Sequence, residues 1–302
     1  MAAQDNSPEK SESLAAFEAY RPYLFAVAYR MLGSAMDAED MVQETYLRYQ
    51  ATPPETIISL KAFLTTIITR LCMDQLHLAR RTREVYPGPW IPEPILTDDA
   101  AGVQADPTRK VELDESLSLA FLTLLEDLPP VERAVFLLRE VFDYEYAEIA
   151  QFLDRSEVAC RQSFSRAKKH LADHRPRFPV SPEIHRQMLD GFIQAAQSGD
   201  MAALMNTLTA DVTLWADGGG KIPGAVQHPI TGREPVARFV IGTSRRVPAN
   251  TRLEVATING QPAMIVRTED GAPFIALTVE SDGQQIARIR VIANPDKLTH
   301  LG

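Results

Sequence analysis

The spacing of apolar residues changes once along this chain of 302 residues, and that change sets what it can fold into. As far as about residue 172 apolar side chains recur three and four positions apart, the period of a helix. Beyond Asp211 they mostly alternate, the period of a strand. Prolines cluster in two places, five of them between Pro87 and Pro107 and three more at Pro176, Pro179 and Pro182. Each proline pushes its predecessor out of the helical region, so PGPWIPEP is read as extended linker. The divisions that follow are a helical domain at 10–83, a linker at 84–110, a second helical domain at 111–174 and a mixed domain at 183–302. Two or three domains is also what this length implies. No internal repeat is visible.

Within the first domain, residues 14 to 31 put Phe17, Leu24, Val27, Ala28 and Met31 on one face of a single predicted helix. A second helix is expected from Asp37 as N-cap, with Met41, Val42, Thr45, Tyr46 and Tyr49 inward, as far as Pro53-Pro54. A third runs from about Leu60 to Arg81 with Phe63, Leu64, Ile67, Leu71 and Leu76 inward. In the last domain a helix near 183–198 precedes six strand-like runs: DVTLWAD, ARFVIG, TRLEVATIN, PAMIVRT, PFIALTVE and QQIARIRVIA. Turn signals at Asn259-Gly260 and Asp282-Gly283 predict a curved antiparallel sheet.

Only Cys72 and Cys160 are present, which suits a reducing cytosol, and neither joins a metal-ligand cluster. The opening MAAQDNSPEK lacks the order of a signal peptide, and no apolar run nears the roughly 18 residues that span a bilayer. A cytoplasmic protein without a membrane segment is expected. The net charge of −9 is unevenly spread. Up to residue 172, 18 Lys and Arg face 27 Asp and Glu; beyond it the counts are 13 and 13. Yet Arg80, Arg81 and Arg83 cluster, as do Arg161, Arg166, Lys168 and Lys169. Short basic stripes on an acidic body point to focused contact with a polyanion.

The second stripe lies in YAEIAQFLDRSEVACRQSFSRAKKHL, which has the pattern of a helix-turn-helix. Tyr146 to Leu153 form a short helix, Asp154-Arg155 the turn, and Ser156 caps the next helix. On that helix Cys160, Phe164, Ala167 and Leu171 share the inner face. Ser156, Glu157, Arg161, Gln162, Ser165, Arg166, Lys168 and Lys169 are left to meet DNA. Arg and Gln can bond guanine and adenine edges, and lysines suit phosphates.

Three blocks in order resemble the extracytoplasmic-function sigma factors of bacterial RNA polymerase. DAEDMVQETYLRYQ is similar to region 2.2, LKAFLTTIITRLCMDQLHLARR to regions 2.3 and 2.4, and the segment from Leu125 to Leu171 to region 4. WIPEP at 90–94, DGGGK at 217–221 and NPDKL at 294–298 match marks of the SigJ-like subgroup with a C-terminal SnoaL-like domain. Ile91 stands there where Leu is usual. The resemblance implies a multidomain protein: two all-α sigma domains, the second with the helix-turn-helix, and an α+β cone-shaped barrel. It implies binding to core RNA polymerase, at the β′ clamp and β flap, and to promoter DNA. The clamp surface would be Asp37, Glu39, Asp40, Gln43, Glu44 and Tyr46. The −10 element would meet Lys61, Phe63, Thr65, Thr66, Thr69, Arg70, Arg80 and Arg81, with a base captured by the loop at about 52–61. The −35 element would meet the eight polar residues already named. Phe63, Arg70 and Ser163 depart from the common Trp, Asn and basic residue, and Gln75 and His77 replace common basic residues.

The resemblance further implies regulation in cis by the barrel, with no dedicated anti-sigma factor. The interdomain contacts would be Trp90, Pro92 and Glu93, the run Asp217, Gly218, Gly219, Gly220 and Lys221, and the run Asn294, Pro295, Asp296, Lys297 and Leu298. The glycines lack phosphate-loop spacing and are read as allowing a tight turn or a close backbone approach. No cofactor and no bond-making chemistry are expected. Two other readings stand beside this one. SnoaL-like relatives include cyclases, so Asp211, Trp215, Asp217, His228 and Arg267 could line an enzyme or sensor pocket. A helix-turn-helix repressor would explain residues 146–171 but neither earlier block.

Overall fold

A computed structural model describes residues 8–97, 116–172, 181–222 and 226–302, without the side chains of 8–11 and 79–84. The chain divides into two compact units, Met1–Arg81 with Leu125–Asp173 and Thr82–Leu124 with His174–Gly302.

The first unit is helical. Helices α1 (Pro8–Glu18) and α2 (Arg21–Leu32) replace the single helix expected over 14–31. Pro22 explains the break: it lacks an N–H for the helix ladder and is accepted only in a first turn, here that of α2. The stripe survives the break, since Phe17, Leu24, Val27, Ala28 and Met31 are all buried. Helix α3 (Ala35–Gln50) starts before Asp37. Its cap is Ser34, whose hydroxyl accepts the Asp37 N–H at 3.1 Å, and Asp37 sits in the first turn. Of the stripe expected there, Val42 and Thr45 are buried, whereas Met41, Tyr46 and Tyr49 are half-buried. Helix α4 spans Leu60–Glu84.

Helix α5 (Leu119–Leu125) belongs to the second unit up to Leu124, and the rest of the helical unit is α6 (Pro130–Phe136), α7 (Tyr146–Leu153) and α8 (Glu157–Ala172). Asp154 ends α7 in the left-handed conformation, and the Ser156 hydroxyl accepts the Ala159 N–H at 3.2 Å to open α8. Cys160, Ala167 and Leu171 anchor α8 inward together with Ser163.

The second unit carries α9 (Pro182–Ser198), α10 (Met201–Thr207), β1 (Leu208–Asp217), β2 (Ile230–Thr231) and α11 (Arg233–Ser244). Strands β3 (Arg252–Ile258), β4 (Gln261–Arg267), β5 (Pro273–Ser281) and β6 (Ile286–Ile292) complete it. The strand order is β2-β1-β6-β5-β4-β3. The sheet is not wholly antiparallel, because β1 and β6 pair in parallel. Turn residues speak only for neighbours in sequence and give no sign of that long crossover. ARFVIG is helix α11, not a strand: Val236, Ala237, Val240 and Ile241 form its buried face, a stripe that a six-residue window does not show. Leu189, Phe192, Ile193, Leu204, Leu214, Val240, Val279 and Ile289 share one core between helices and sheet. Burying each such side chain contributes about 1.5–3 kcal/mol.

Asn259 (φ 53°) and Gly260 (φ 73°) both take left-handed conformations, as the tight β3–β4 hairpin requires. Asn259 also holds the linker. Its side chain accepts the Ile95 N–H at 3.0 Å and donates to the Leu117 carbonyl at 2.8 Å. Leu96 adds a bridge to Ile258. Among the described residues no helix is long and apolar enough to cross a membrane.

Candidate nucleic-acid interface

Helix α8 presents the whole of its expected reading face. Ser156, Glu157, Arg161, Gln162, Ser165, Arg166, Lys168 and Lys169 are all exposed. Three of the cations are pre-positioned by acids: Arg161 by Glu157 at 3.0 Å, Arg166 by Glu132 at 2.6 Å and Lys168 by Glu140 at 3.2 Å. Arg161 also lies over the Tyr146 ring, 4.5 Å from its centroid. Exposed pairs of this kind are worth about 0–1 kcal/mol, so phosphates can outcompete them. Glu140→Gln should therefore raise DNA affinity roughly two- to fivefold at low salt, a gain that salt screens away. Equal affinity at low salt would show that Lys168 does not face the phosphates. Ser163 is buried and accepts from Arg166 at 3.1 Å, so it is not part of the exposed face of α8.

Helix α4 is different. Lys61 and Arg70 are exposed and Phe63 and Thr66 half-buried, but Thr65 and Thr69 are buried, which corrects their reading as open DNA contacts. The side chains of Arg80 and Arg81 lie outside the described residues. What covers α4 is the helix-turn-helix half of the same unit. The Tyr144 hydroxyl lies 2.8 Å from that of Tyr23 and 3.2 Å from that of Thr65, and Tyr23 to Thr65 is 3.1 Å. Burial drives the Tyr23 phenol above its ordinary range, so Tyr23 stays a neutral hydroxyl that can donate here. The Lys61 ammonium sits 5.3 Å and 5.2 Å from the Tyr23 and Tyr144 ring centroids. Arg70 donates to the Phe152 carbonyl at 2.8 Å and reaches the Gln151 carbonyl at 3.4 Å, capping the end of α7. Arg133, itself buried, donates to the Met31 carbonyl at 2.6 Å and pairs with Glu126 at 2.9 Å. These contacts form a clasp across the two halves of the helical unit. The sequence gives little sign of it, because Tyr23 stands outside all three blocks and Tyr144 lies ahead of the helix-turn-helix.

On α3, Asp40 and Gln43 are exposed, while Asp37, Glu39, Glu44 and Tyr46 are half-buried. Glu39 pairs with Arg21 at 2.6 Å, Glu44 with Arg48 at 2.9 Å, and Tyr46 packs on Phe17 at 4.9 Å. Met36 and Leu47 are exposed on the same helix, an apolar component that a search for acids passes over.

In the second unit the three short motifs meet. Asp217 is buried, and its carboxylate accepts the Tyr86 hydroxyl (2.5 Å), the Gly219 N–H (3.1 Å), the Ile91 N–H (2.9 Å) and the Lys297 ammonium (2.7 Å). Lys297 also donates to the Ile91 carbonyl at 2.5 Å and lies over the rings of Trp90 (4.2 Å) and Tyr86 (4.9 Å). Burial, then the bond to Asp217, raises the Tyr86 phenol above its usual range, which keeps it a donor. Asn294 donates to the Tyr86 oxygen at 3.0 Å. A Cβ at Gly219 would fall 2.3 Å from the Asn294 side chain, and one at Gly220 2.7 Å from Pro87, so close approach explains both glycines. Lys221 and Asp296 add an exposed pair at 2.6 Å. Pro92 and Glu93 are buried, Gly218 and Leu298 too, whereas Pro295 is exposed. Tyr86 had no place among the expected contacts.

The imagined pocket residues are otherwise engaged. Asp217 serves this latch, and Arg267 bonds Glu254 at 2.8 Å and the Leu301 carbonyl at 2.8 Å. Asp211 and His228 are exposed, and Trp215 lies against Arg290.

Models of sigma-70 region 2 and sigma-70 region 4 match residues 16–84 and 118–171. The ECF RNA polymerase sigma factor SigJ of Mycobacterium tuberculosis is 36% identical, over 94% of this chain and 92% of its own. The chain belongs to the extracytoplasmic-function sigma factors. A crystal structure of M. tuberculosis SigJ superposes on this sigma factor with a TM-score of 0.73 at 33% identity, covering 95% of this chain and 98% of that one. Neighbours of the sigma factor's C-terminal part include a SnoaL-like protein from Burkholderia thailandensis (14% identical, 38% and 97% covered, TM-score 0.29). Two all-α sigma domains followed by an α+β domain make up this sigma factor.

Proposed function

We propose that this chain binds core RNA polymerase through α3 and directs initiation at promoters whose −35 element α8 reads and whose −10 element α4 reads. Asp37, Glu39, Asp40, Gln43, Glu44 and Tyr46, joined by Met36 and Leu47, are the polymerase surface. The observation that carries the reading is the all-exposed polar face of α8 beside an α4 held under Tyr144. Such an arrangement leaves one DNA-reading helix open and the other closed. Lys61, Thr65, Thr69 and Arg70 reach promoter DNA only once the clasp parts, and polymerase binding supplies the free energy to part it. The linker and the SnoaL-like domain restrain the sigma part in cis, through the latch built on Asp217 and Lys297. That restraint takes the place of a dedicated anti-sigma factor. The domain acts by contact and not by catalysis, and the protein works in the cytoplasm.

The test is run-off transcription with core polymerase and the full chain, over a library of promoter fragments. Discrete transcripts that depend on the chain, and that Asp40→Lys with Glu44→Lys abolishes, are expected. A folded charge-reversed variant that binds polymerase normally would contradict the α3 assignment. Asp40 is exposed, and Glu44→Lys gives up a surface pair with Arg48 worth about 0–1 kcal/mol, so folding is expected to survive the reversal.

A further inference from the structure

We propose that Val158 reads a thymine of the −35 element by packing on its 5-methyl group, next to a guanine read by Arg161. The inference deepens the assignment of α8 and rests on it.

Among the apolar residues of α8, Ala159, Cys160, Phe164, Ala167 and Leu171 are buried or half-buried. Val158 is not; it is 64% exposed in the first turn. It stands three and four residues before Arg161 and Gln162, so the three side chains lie together on one exposed face. In a helix-turn-helix, the N-terminal residues of the second helix meet the base edges. Arg161 is fixed on this face by Glu157 at 3.0 Å and by the Tyr146 ring at 4.5 Å, which puts a preset guanidinium beside the valine.

The chemistry of a valine at such a place admits one favourable partner. It can neither donate nor accept, so against guanine, adenine or cytosine it would displace water from a polar edge and return nothing. Thymine alone offers an apolar group in the major groove. Val also holds one strongly preferred rotamer in a helix, so little freedom is lost on contact. An exposed β-branched residue on a reading helix is therefore a readout element, and the polar residues about it supply position and the neighbouring base.

The test uses the full chain with core polymerase. A promoter is first selected from a pool with a randomised −35 segment, and each thymine in the selected element is then replaced in turn by deoxyuridine. One thymine should prove sensitive, with affinity falling roughly fourfold for the loss of one buried methyl. Val158→Ser should bring the thymine and deoxyuridine promoters to equal affinity, whereas Arg161→Ala should keep their difference. Because Val158 is exposed, the serine disturbs no packing. Selection of a −35 sequence with no methyl-sensitive thymine would overturn the proposal, as would a Val158→Ser protein that still distinguishes the two. Failure to select any −35 sequence would instead overturn the assignment of α8 as a reading helix, and this inference with it.

Discussion

Arg70→Ala combined with Tyr144→Phe should open the helical unit in the free protein while leaving its helices intact. Arg70 makes charge-assisted bonds to the Phe152 and Gln151 carbonyls, worth about 1.5–3 kcal/mol, and the Tyr144 hydroxyl adds about 1 kcal/mol. Together they shift the closed-to-open ratio by roughly a hundredfold or more, at about 1.4 kcal/mol per tenfold. The Tyr144 ring remains, so its edge-on packing against Phe152 at 5.0 Å is kept and the helix-turn-helix stays folded. Hydrogen exchange over Thr65–Cys72 should accelerate with no change in helix content. Unchanged exchange in a folded variant would mean that these contacts do not hold the unit closed.

Lys297→Met should have a still larger effect on the second unit. The Asp217 carboxylate is buried, and losing its cation leaves a charge that three neutral donors only partly satisfy. Breaking a buried pair from one side costs about 3–5 kcal/mol. The least costly escape is local: the Trp90–Pro94 segment leaves the barrel and water reaches Asp217. The Ile91 amide, bonded to Asp217 at 2.9 Å, then exchanges several hundredfold faster or more, at about 1.4 kcal/mol per tenfold. Asp217→Asn with Lys297→Met removes both charges and should recover part of the loss. Transcription by the Lys297→Met protein should differ from wild type. Identical exchange and identical transcription would remove the latch from the account.

The helices of the sigma part were legible because each buries one stripe, and a stripe shows in spacing. The cap at Ser156, the turn at Asp154-Arg155 and the Asn259-Gly260 hairpin were legible because local backbone demands select those residues. What escaped was decided by partners distant in sequence. Thr65 looks like helix surface until Tyr144 is laid over it. The parallel pairing of β1 with β6 joins strands separated by a helix and four other strands. ARFVIG reads as a strand by composition and is a helix because Val236 and Val240 find a core to face. Tyr86 joins the latch from outside all three motifs, and only the position of Asp217 reveals it. Met36, Leu47 and Val158 are apolar yet exposed, and neither charge nor apolar spacing in the sequence marks them out.

The closed helical unit is expected to part when polymerase binds. Spin labels at His77→Cys on α4 and Ala172→Cys on α8 report it directly, since both positions are exposed and outside the clasp. The native Cys72 and Cys160 are buried and can be left or replaced by serine. Pulsed electron-spin distance measurement on the free chain should give one narrow distribution, and adding core polymerase should replace it with a longer one. A distribution that core polymerase leaves unchanged, or a free chain already as extended as the bound one, would contradict the account.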